Sequence, residues 1–163
     1  MEPCVKIDLE KIINDGNPLI IELGCGQKGK QDRITVDKVN LSNVDIVADI
    51  EMGLPFLPDD SVDEIHCRSV LEHIQNFEGL IREIVRVLKK SGKAYIFVPH
   101  FSNPFYYSDY THKRFFGLLT RLPFLSRSFA FSSAVPSKRC LGLTHLLLSH
   151  LWQINFSFDI VPE

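Results

Sequence analysis

The 163-residue chain is 45% hydrophobic and 23% charged, a composition typical of one globular domain with a single hydrophobic core. Its net charge of −2 excludes a globally basic nucleic-acid binder, although residues 101–163 hold 6 basic and 3 acidic side chains against 12 and 17 in residues 1–100. No stretch reaches the roughly 18 apolar residues of a membrane span. The start does not resemble a secretory signal, and the four cysteines form no C-x-x-C pair. We therefore expect one domain, residues 1–163, in the reducing cytoplasm.

The first half of the chain alternates apolar runs with turn residues. An amphipathic pattern predicts a short helix over residues 7–14, which Gly16-Asn17-Pro18 ends. Apolar and β-branched runs then predict four strands, over residues 19–23, 33–37, 44–49 and 62–67.

The clearest helix is predicted over residues 77–90, where apolar residues recur on one face and Ser91-Gly92 suits a left-handed cap. A fifth buried strand is predicted over residues 93–99. Strands that alternate with helices predict an α/β fold with a mostly parallel sheet covered on both faces. Later residues suggest a helix over 141–152 and a last strand over 156–161. We expect residues 1–99 to form a cofactor-binding half and residues 100–163 a substrate-facing part that is truncated.

A glycine-rich turn directly follows the first predicted strand. Residues 24–29 spell G-x-G-x-x-G, which usually indicates a dinucleotide with its pyrophosphate at a helix N-terminus. However, Asp37 follows this motif after only eight residues, rather than the usual 20 or so, and the connection between the two strands is only the short run from Gly24 to Arg33. Little room remains for a full helix, which disfavours a phosphate ligand. Glu22, a carboxylate within an apolar run, is either a hydrogen-bonded core acid or a ligand for a positive group.

The segment Glu22-Leu23-Gly24-Cys25-Gly26 resembles the E-x-G-x-G motif of class I S-adenosylmethionine-dependent methyltransferases, in the branch called type 11. This resemblance implies a three-layer, Rossmann-like sandwich with S-adenosylmethionine as cofactor. Glu22 would face the amino group of the methionine part, Asp37 would accept the ribose hydroxyls, and Asp49 with Ile50 would hold the adenine. The predicted cofactor-binding residues are Glu22, Gly24, Cys25, Gly26, Asp37, Asp49, Ile50 and Arg68.

Other segments resemble the family's motifs in the same order, and together they cover residues 18–99. They are Leu54-Pro55-Phe56, Asp59 to Glu64, Ser69-Val70-Leu71-Glu72-His73, and Glu83 to Gly92. The N/D-P-P-Y/F motif of enzymes that methylate DNA bases or protein amides is not present after the fourth predicted strand, which disfavours those substrates.

Residues 99–116 follow the fifth predicted strand, so they should border the methyl acceptor. His100 or His112 could take a hydroxyl proton near neutral pH, and we rank His100 first because it lies closest to the strand end. Asp109 could orient such a base. The predicted substrate-binding residues are Lys113, Arg114 and Tyr106. A metal site of His100, Asp109 and His112 has an unspecific spacing, so no metal is predicted.

The favoured function is methyl transfer to a small molecule or sugar hydroxyl, with an anionic or saccharide acceptor as partner. Two alternatives remain open. A non-catalytic module of the same fold would explain the short first crossover, and an NAD-dependent oxidoreductase would explain the literal glycine pattern. The oligomeric state is left open.

Overall fold

The computed structural model describes residues 2–29, 31–117 and 153–159. Seven strands of this part form one sheet in the order β1-β4-β3-β2-β5-β6-β7. Its strands are β1 (Cys4–Val5), β2 (Ile20–Leu23), β3 (Ile34–Asp37), β4 (Ile46–Val47), β5 (Val62–Arg68), β6 (Leu88–Pro99) and β7 (Gln153–Asp159). The five strands from β4 to β6 in that order run parallel, and the edge strands β1 and β7 pair antiparallel. The predicted mostly parallel α/β fold is confirmed.

The core lies around β2, in the middle of the sheet. Ile21 and Leu23 are completely buried, as expected of a parallel strand that is covered on both faces. Helix α1 (Leu9–Asn14) is capped at its N-terminus by Asp8, whose side chain accepts the Lys11 N–H.

Helix α2 (Phe77–Val87) buries the face that its sequence period predicts. Its buried residues are Phe77, Leu80, Ile81, Ile84 and Val87. The Asn76 side chain caps its first turn by accepting the Gly79 N–H.

The predicted end of this helix is wrong by three residues. Leu88 already has extended backbone, with φ −71° and ψ 134°, and it is paired with Val62 as the first residue of β6. Its side chain remains buried at 1% exposure, so the apolar period continues after the helix has ended. Gly92 lies within β6 rather than in a left-handed cap.

Other boundaries differ as well, and β6 begins five residues before the predicted strand at 93–99. The strand predicted over residues 44–49 is only Ile46–Val47, because Asp49 caps the start of a short 3₁₀ helix at Ile50–Met52. The last strand is Gln153–Asp159, a few residues earlier than predicted. The helix predicted over residues 141–152 lies outside the described residues. No helix in the described part of the chain is long and apolar enough to cross a membrane.

The connection from β2 to β3 is as short as the sequence predicts. Its described residues contain one 3₁₀ turn, Gly26–Lys28, and no α-helix. A helix N-terminus that could hold a pyrophosphate is therefore missing from the described part of this connection.

Candidate functional site: a cavity at the carboxyl ends of the strands

The glycine turn and the end of β3 are joined by hydrogen bonds. Gly24 has φ +66°, and its N–H donates to the Val36 carbonyl at 2.8 Å. The Gly26 N–H donates to Asp37 Oδ2 at 2.8 Å, and the Val39 N–H donates to Oδ1 at 2.9 Å. Each carboxylate oxygen can accept a further bond, so Asp37 is oriented and keeps capacity for a ligand.

Asp49 occupies the same edge of the sheet, after β4. Its Oδ1 accepts the Glu51 N–H at 3.0 Å and thereby caps the 3₁₀ helix at Ile50–Met52. Ala48 and Ile50, the residues on either side of Asp49 in the chain, are both buried. The oriented carboxylate of Asp49 is thus flanked by apolar side chains.

A cavity of about 600 Å³ opens at this edge. Its lining includes residues that directly follow or end four parallel strands, together with residues of the segment after β6. The lining residues are Gly24, Asp37, Lys38, Ala48, Asp49, Ile50, Glu51, Ser69, Val70, His73, Ile74, Tyr110, Thr111 and Lys113. Four predicted cofactor-binding residues (Gly24, Asp37, Asp49 and Ile50) are therefore in one cavity.

The lining fits a nucleoside that carries a positive charge better than one that carries phosphates. Three carboxylates, Asp37, Asp49 and Glu51, outnumber the two lining lysines, Lys38 and Lys113, while Ile50, Val70 and Ile74 supply apolar surface for a base. S-adenosylmethionine has ribose hydroxyls, an adenine and a cationic methionine part, which match these groups. A pyrophosphate would meet the carboxylates with no α-helix N-terminus in the described part of the glycine turn to offset their charge.

Gly24 is fixed by sterics as well as by its backbone conformation. A Cβ at this position would lie 2.3 Å from Val70 Cγ2, whereas a Cβ at Gly26, whose φ is +53°, would meet no atom within 4 Å. Gly24→Ala should therefore lower the free energy of unfolding by about 3 kcal/mol, and Gly26→Ala by about 1–2 kcal/mol, since only the first adds overpacking to backbone strain. Urea unfolding of both variants measures the difference, and equal losses would contradict the close approach to Val70.

Four predicted cofactor-binding residues are not among the described lining residues. Glu22 is buried in β2 between Thr35 and His66 of the neighbouring strands. Cys25 packs with Val44 and Val47, and burial beside Asp37 and Glu22 raises the pKa of its thiol to about 11. Gly26 contributes the N–H that orients Asp37. Arg68 is exposed, and its guanidinium lies 5.6 Å from the centre of the Phe97 ring.

The predicted substrate-binding residues lie on a segment that is fastened to the loop before α2. The Lys113 N–H donates to the Glu72 carbonyl at 2.7 Å, and the Arg114 guanidinium donates to the carbonyls of Ile74 and Gln75. Arg114 also stacks 5.1 Å over the Phe77 ring, and the buried Tyr106 donates its hydroxyl to the Arg114 carbonyl. Of the three, only Lys113 lines the cavity, where its Nζ lies 3.4 Å from Glu51 Oε1.

His112 is partly buried beside a second histidine that the sequence analysis did not select. Its Nδ1 lies 2.7 Å from the Tyr106 carbonyl, and its ring centre lies 4.8 Å from that of His73. His73 itself lines the cavity and lies 2.9 Å through Nδ1 from Thr111 Oγ1. Burial, and the neighbouring His112, lower the pKa of His73. Asp109 is exposed and accepts the Thr111 hydroxyl at 2.5 Å.

His100 lies apart from this pair. Its Nδ1 is 2.5 Å from Ser102 Oγ, its ring packs against Phe101, and it pairs with Phe116 in an isolated bridge. It is not among the described residues that line the cavity. His112 is not a described lining residue either, but its ring lies against that of His73, which is, so His112 is the better connected of the two to the cavity.

Glu72 is a second residue that the sequence analysis left without a role. It is 1% exposed, and its Oε2 has no hydrogen-bond partner among the described residues. Burial, together with the charge of Asp109, raises the pKa of this carboxyl to about 7. Its acceptor atoms, with those of His73 and His112, lie within 4.8 Å of one another.

Two signals could have led to these residues. Glu72 and His73 belong to the Ser69–His73 motif, which was recognised as a unit but not divided into roles. Ser69 opens that motif with φ +52°, a left-handed conformation rare outside glycine, and its N–H donates to the Phe97 carbonyl at 2.8 Å. Such local strain concentrates at functional sites, but backbone angles cannot be read from one sequence.

The parallel sheet with a cavity beyond its carboxyl ends defines the class of Rossmann-like cofactor-binding folds. Within that class, residues 21–96 match the family model described as "Methyltransferase domain". This match covers 76 of the 163 residues, and over that part of the chain it supports the predicted resemblance to methyltransferases. A structural neighbour described as S-adenosylmethionine-dependent agrees with the predicted cofactor.

The chain is also similar to individual methyltransferases, in sequence over a short stretch and in fold. Over 50 residues, the chain is 42% identical to the uncharacterized methyltransferase YcgJ of Bacillus subtilis, an alignment that covers 31% of this chain and 19% of that protein. The fold is similar to that of an S-adenosylmethionine-dependent methyltransferase from Archaeoglobus fulgidus, with a TM-score of 0.61 and 16% identity, covering 93% of this chain and 90% of that one. The solved YcgJ structure has a TM-score of 0.48 at 23% identity, covering 68% of this chain and 62% of that one.

Proposed function

We propose that this chain transfers the methyl group of S-adenosylmethionine to a hydroxyl of a small molecule or sugar. The observation that supports this proposal most directly is that one and the same cavity is lined by predicted cofactor residues and by residues of the segment after β6. In methyl transfer, donor and acceptor must lie in line within one enclosed space, so both sets of residues should border the same cavity.

On the cofactor side, the proposed roles follow from position and hydrogen-bonding capacity. Asp37, already oriented by two backbone N–H groups, accepts the ribose hydroxyls. Asp49 accepts the adenine amino group, and Ile50 packs against the ring. When bound, the cofactor supplies a methyl group on a positively charged sulfur, which the negative potential of the two carboxylates favours.

On the acceptor side, the cavity wall combines a cation, an aromatic ring and a histidine. Lys113 is suited to an anionic group, and Tyr110, which is 97% exposed at the rim, offers a ring face to a sugar or other flat acceptor. His73 lines the cavity and His112 lies against His73, so this pair is the proposed acceptor of a hydroxyl proton; His100 is not a described lining residue. The described cysteines are unpaired, which agrees with a cytoplasmic location.

Titration calorimetry with S-adenosylhomocysteine and, separately, with NAD tests the cofactor. We expect S-adenosylhomocysteine to bind at one site per chain and to raise the melting temperature, because a ligand that binds only the folded state stabilises it by mass action. NAD should produce neither effect. Binding of NAD without binding of S-adenosylhomocysteine would overturn the proposal and restore the oxidoreductase alternative.

A non-catalytic binding module is the second candidate, which the short 3₁₀ crossover after β2 favours. It predicts the same cofactor binding without turnover. A panel of small phosphorylated and saccharide hydroxyl acceptors, assayed for S-adenosylhomocysteine formation, separates the two. Turnover with any acceptor excludes the non-catalytic module.

A further inference from the structure

Glu72, His73 and His112 form a compact group beside the cavity, which we call the Glu-His-His cluster. Each side chain offers one atom that can bind a metal, and these atoms lie within 4.8 Å of one another. Glu72 and His73 lie in the 3₁₀ helix Leu71–His73. The bond from the Lys113 N–H to the Glu72 carbonyl holds the neighbouring residue His112 close to them. The cluster is thus held by backbone contacts and does not depend on flexible side chains meeting at the surface.

The hydrogen bonds of the two imidazoles use their Nδ1 atoms, and His112 Nε2 lies 3.8 Å from Asp109 Oδ2, beyond hydrogen-bond distance. His112 Nδ1 faces the Tyr106 carbonyl at 2.7 Å, and since a carbonyl can only accept, this nitrogen carries the proton. Thr111 donates its one hydroxyl proton to Asp109 and therefore accepts from His73 Nδ1. In both neutral rings the unprotonated nitrogen is then Nε2. Orientation of a ligating histidine by a second acceptor at its other nitrogen is typical of metal sites.

The buried carboxylate supplies an independent sign of a missing partner. Glu72 is 1% exposed, and its Oε2 lacks a hydrogen-bond partner in the described part of the chain. An unpaired buried carboxylate is costly, and a cation at this oxygen would remove that cost. Lys113, whose backbone contacts Glu72, directs its ammonium group toward Glu51.

We propose that the Glu-His-His cluster binds one divalent transition-metal ion of the zinc type at the wall of the cavity. Two imidazole nitrogens and one carboxylate oxygen form the three-ligand set that zinc and similar ions prefer, whereas Mg²⁺ and Ca²⁺ prefer oxygen ligands. Three protein ligands leave a coordination position open, and since His73 lines the cavity, a water or an acceptor hydroxyl could occupy it. The ion site stands on its own geometry and does not require methyl transfer.

The site is tested by calorimetric titration of Zn²⁺ into protein from which metal has been removed with a chelator and the chelator then removed. We expect one ion per chain, and we expect Glu72→Gln and His112→Asn each to weaken binding by about 10-fold or more, since each removes a ligand. His66→Asn is the matched control, because His66 also faces a glutamate, Glu64, at 3.1 Å but belongs to no described group of three ligands. It should bind Zn²⁺ like the parent.

A second measurement uses the unmodified protein, so it does not depend on the folding of any variant. Imidazole ¹H–¹⁵N spectra should show that one equivalent of Zn²⁺ shifts the Nε2 signals of His73 and His112 and leaves those of His66 in place. Absence of stoichiometric Zn²⁺ binding would overturn the proposal. Shifts at other histidines alone, or full affinity retained in Glu72→Gln and His112→Asn, would also overturn it.

Discussion

Asp37→Ala should weaken S-adenosylhomocysteine binding by about 10- to 150-fold. A hydrogen bond to a charged group contributes about 1.5–3 kcal/mol, and each 1.4 kcal/mol is about a factor of ten in affinity. The variant also releases the Gly26 and Val39 N–H groups, which fix the glycine turn against the end of β3. Calorimetry on the folded variant, with its melting temperature measured alongside, gives the two effects separately.

Asp45→Ala is the matched control for this prediction. Asp45 Oδ2 likewise accepts two bonds from β3, from the Thr35 N–H at 2.9 Å and the Thr35 hydroxyl at 2.8 Å, but Asp45 is not a described lining residue. Its loss should lower stability and leave the affinity for S-adenosylhomocysteine within about twofold. If both variants lose affinity equally, Asp37 acts through the stability of β3 rather than through the ribose.

His112→Asn should lower turnover by about 100-fold or more once an acceptor is found, and it should leave S-adenosylhomocysteine binding intact. The reason is its contact with His73 at the cavity wall, 4.8 Å between ring centres. His100→Asn, assayed in parallel, should cost less, because the His100 ring is bonded to Ser102 away from the cavity. A larger loss in His100→Asn would restore the order that the sequence suggested.

The parallel sheet could be predicted because its signals are local. Buried strands read as apolar runs, and the predicted strands at residues 19–23 and 62–67 match β2 and β5 to within one residue. The end of α2 could not be predicted in the same way. Leu88 is apolar at the helical spacing, yet it is buried as the first residue of β6, and the period alone does not distinguish these outcomes.

In the candidate site, too, the residues that local sequence signals indicate could be predicted, whereas contacts between residues far apart in the chain could not. Asp37 and Asp49 could be predicted to lie together because Asp37 ends β3 and Asp49 follows β4 by two residues, and parallel strands bring such residues to one edge. The meeting of His73 with Thr111 joins residues 38 positions apart in the chain. Nothing in the local pattern encodes that contact, so the ranking of His100 relied on nearness to the strand end. Residues 118–152, which the sequence analysis assigned in part to a helix, lie outside the described part of the chain.

The bonds between the segment around Lys113 and the loop before α2 also provide a local reporter of dynamics. One side of the cavity is attached through the Lys113 N–H to Glu72 and through Arg114 to Ile74 and Gln75. To widen the mouth on that side, these bonds must break together, and the Lys113 amide is then exposed to solvent. Its rate of hydrogen–deuterium exchange therefore measures how often that wall opens, and a ligand that holds the wall closed slows this single amide in proportion.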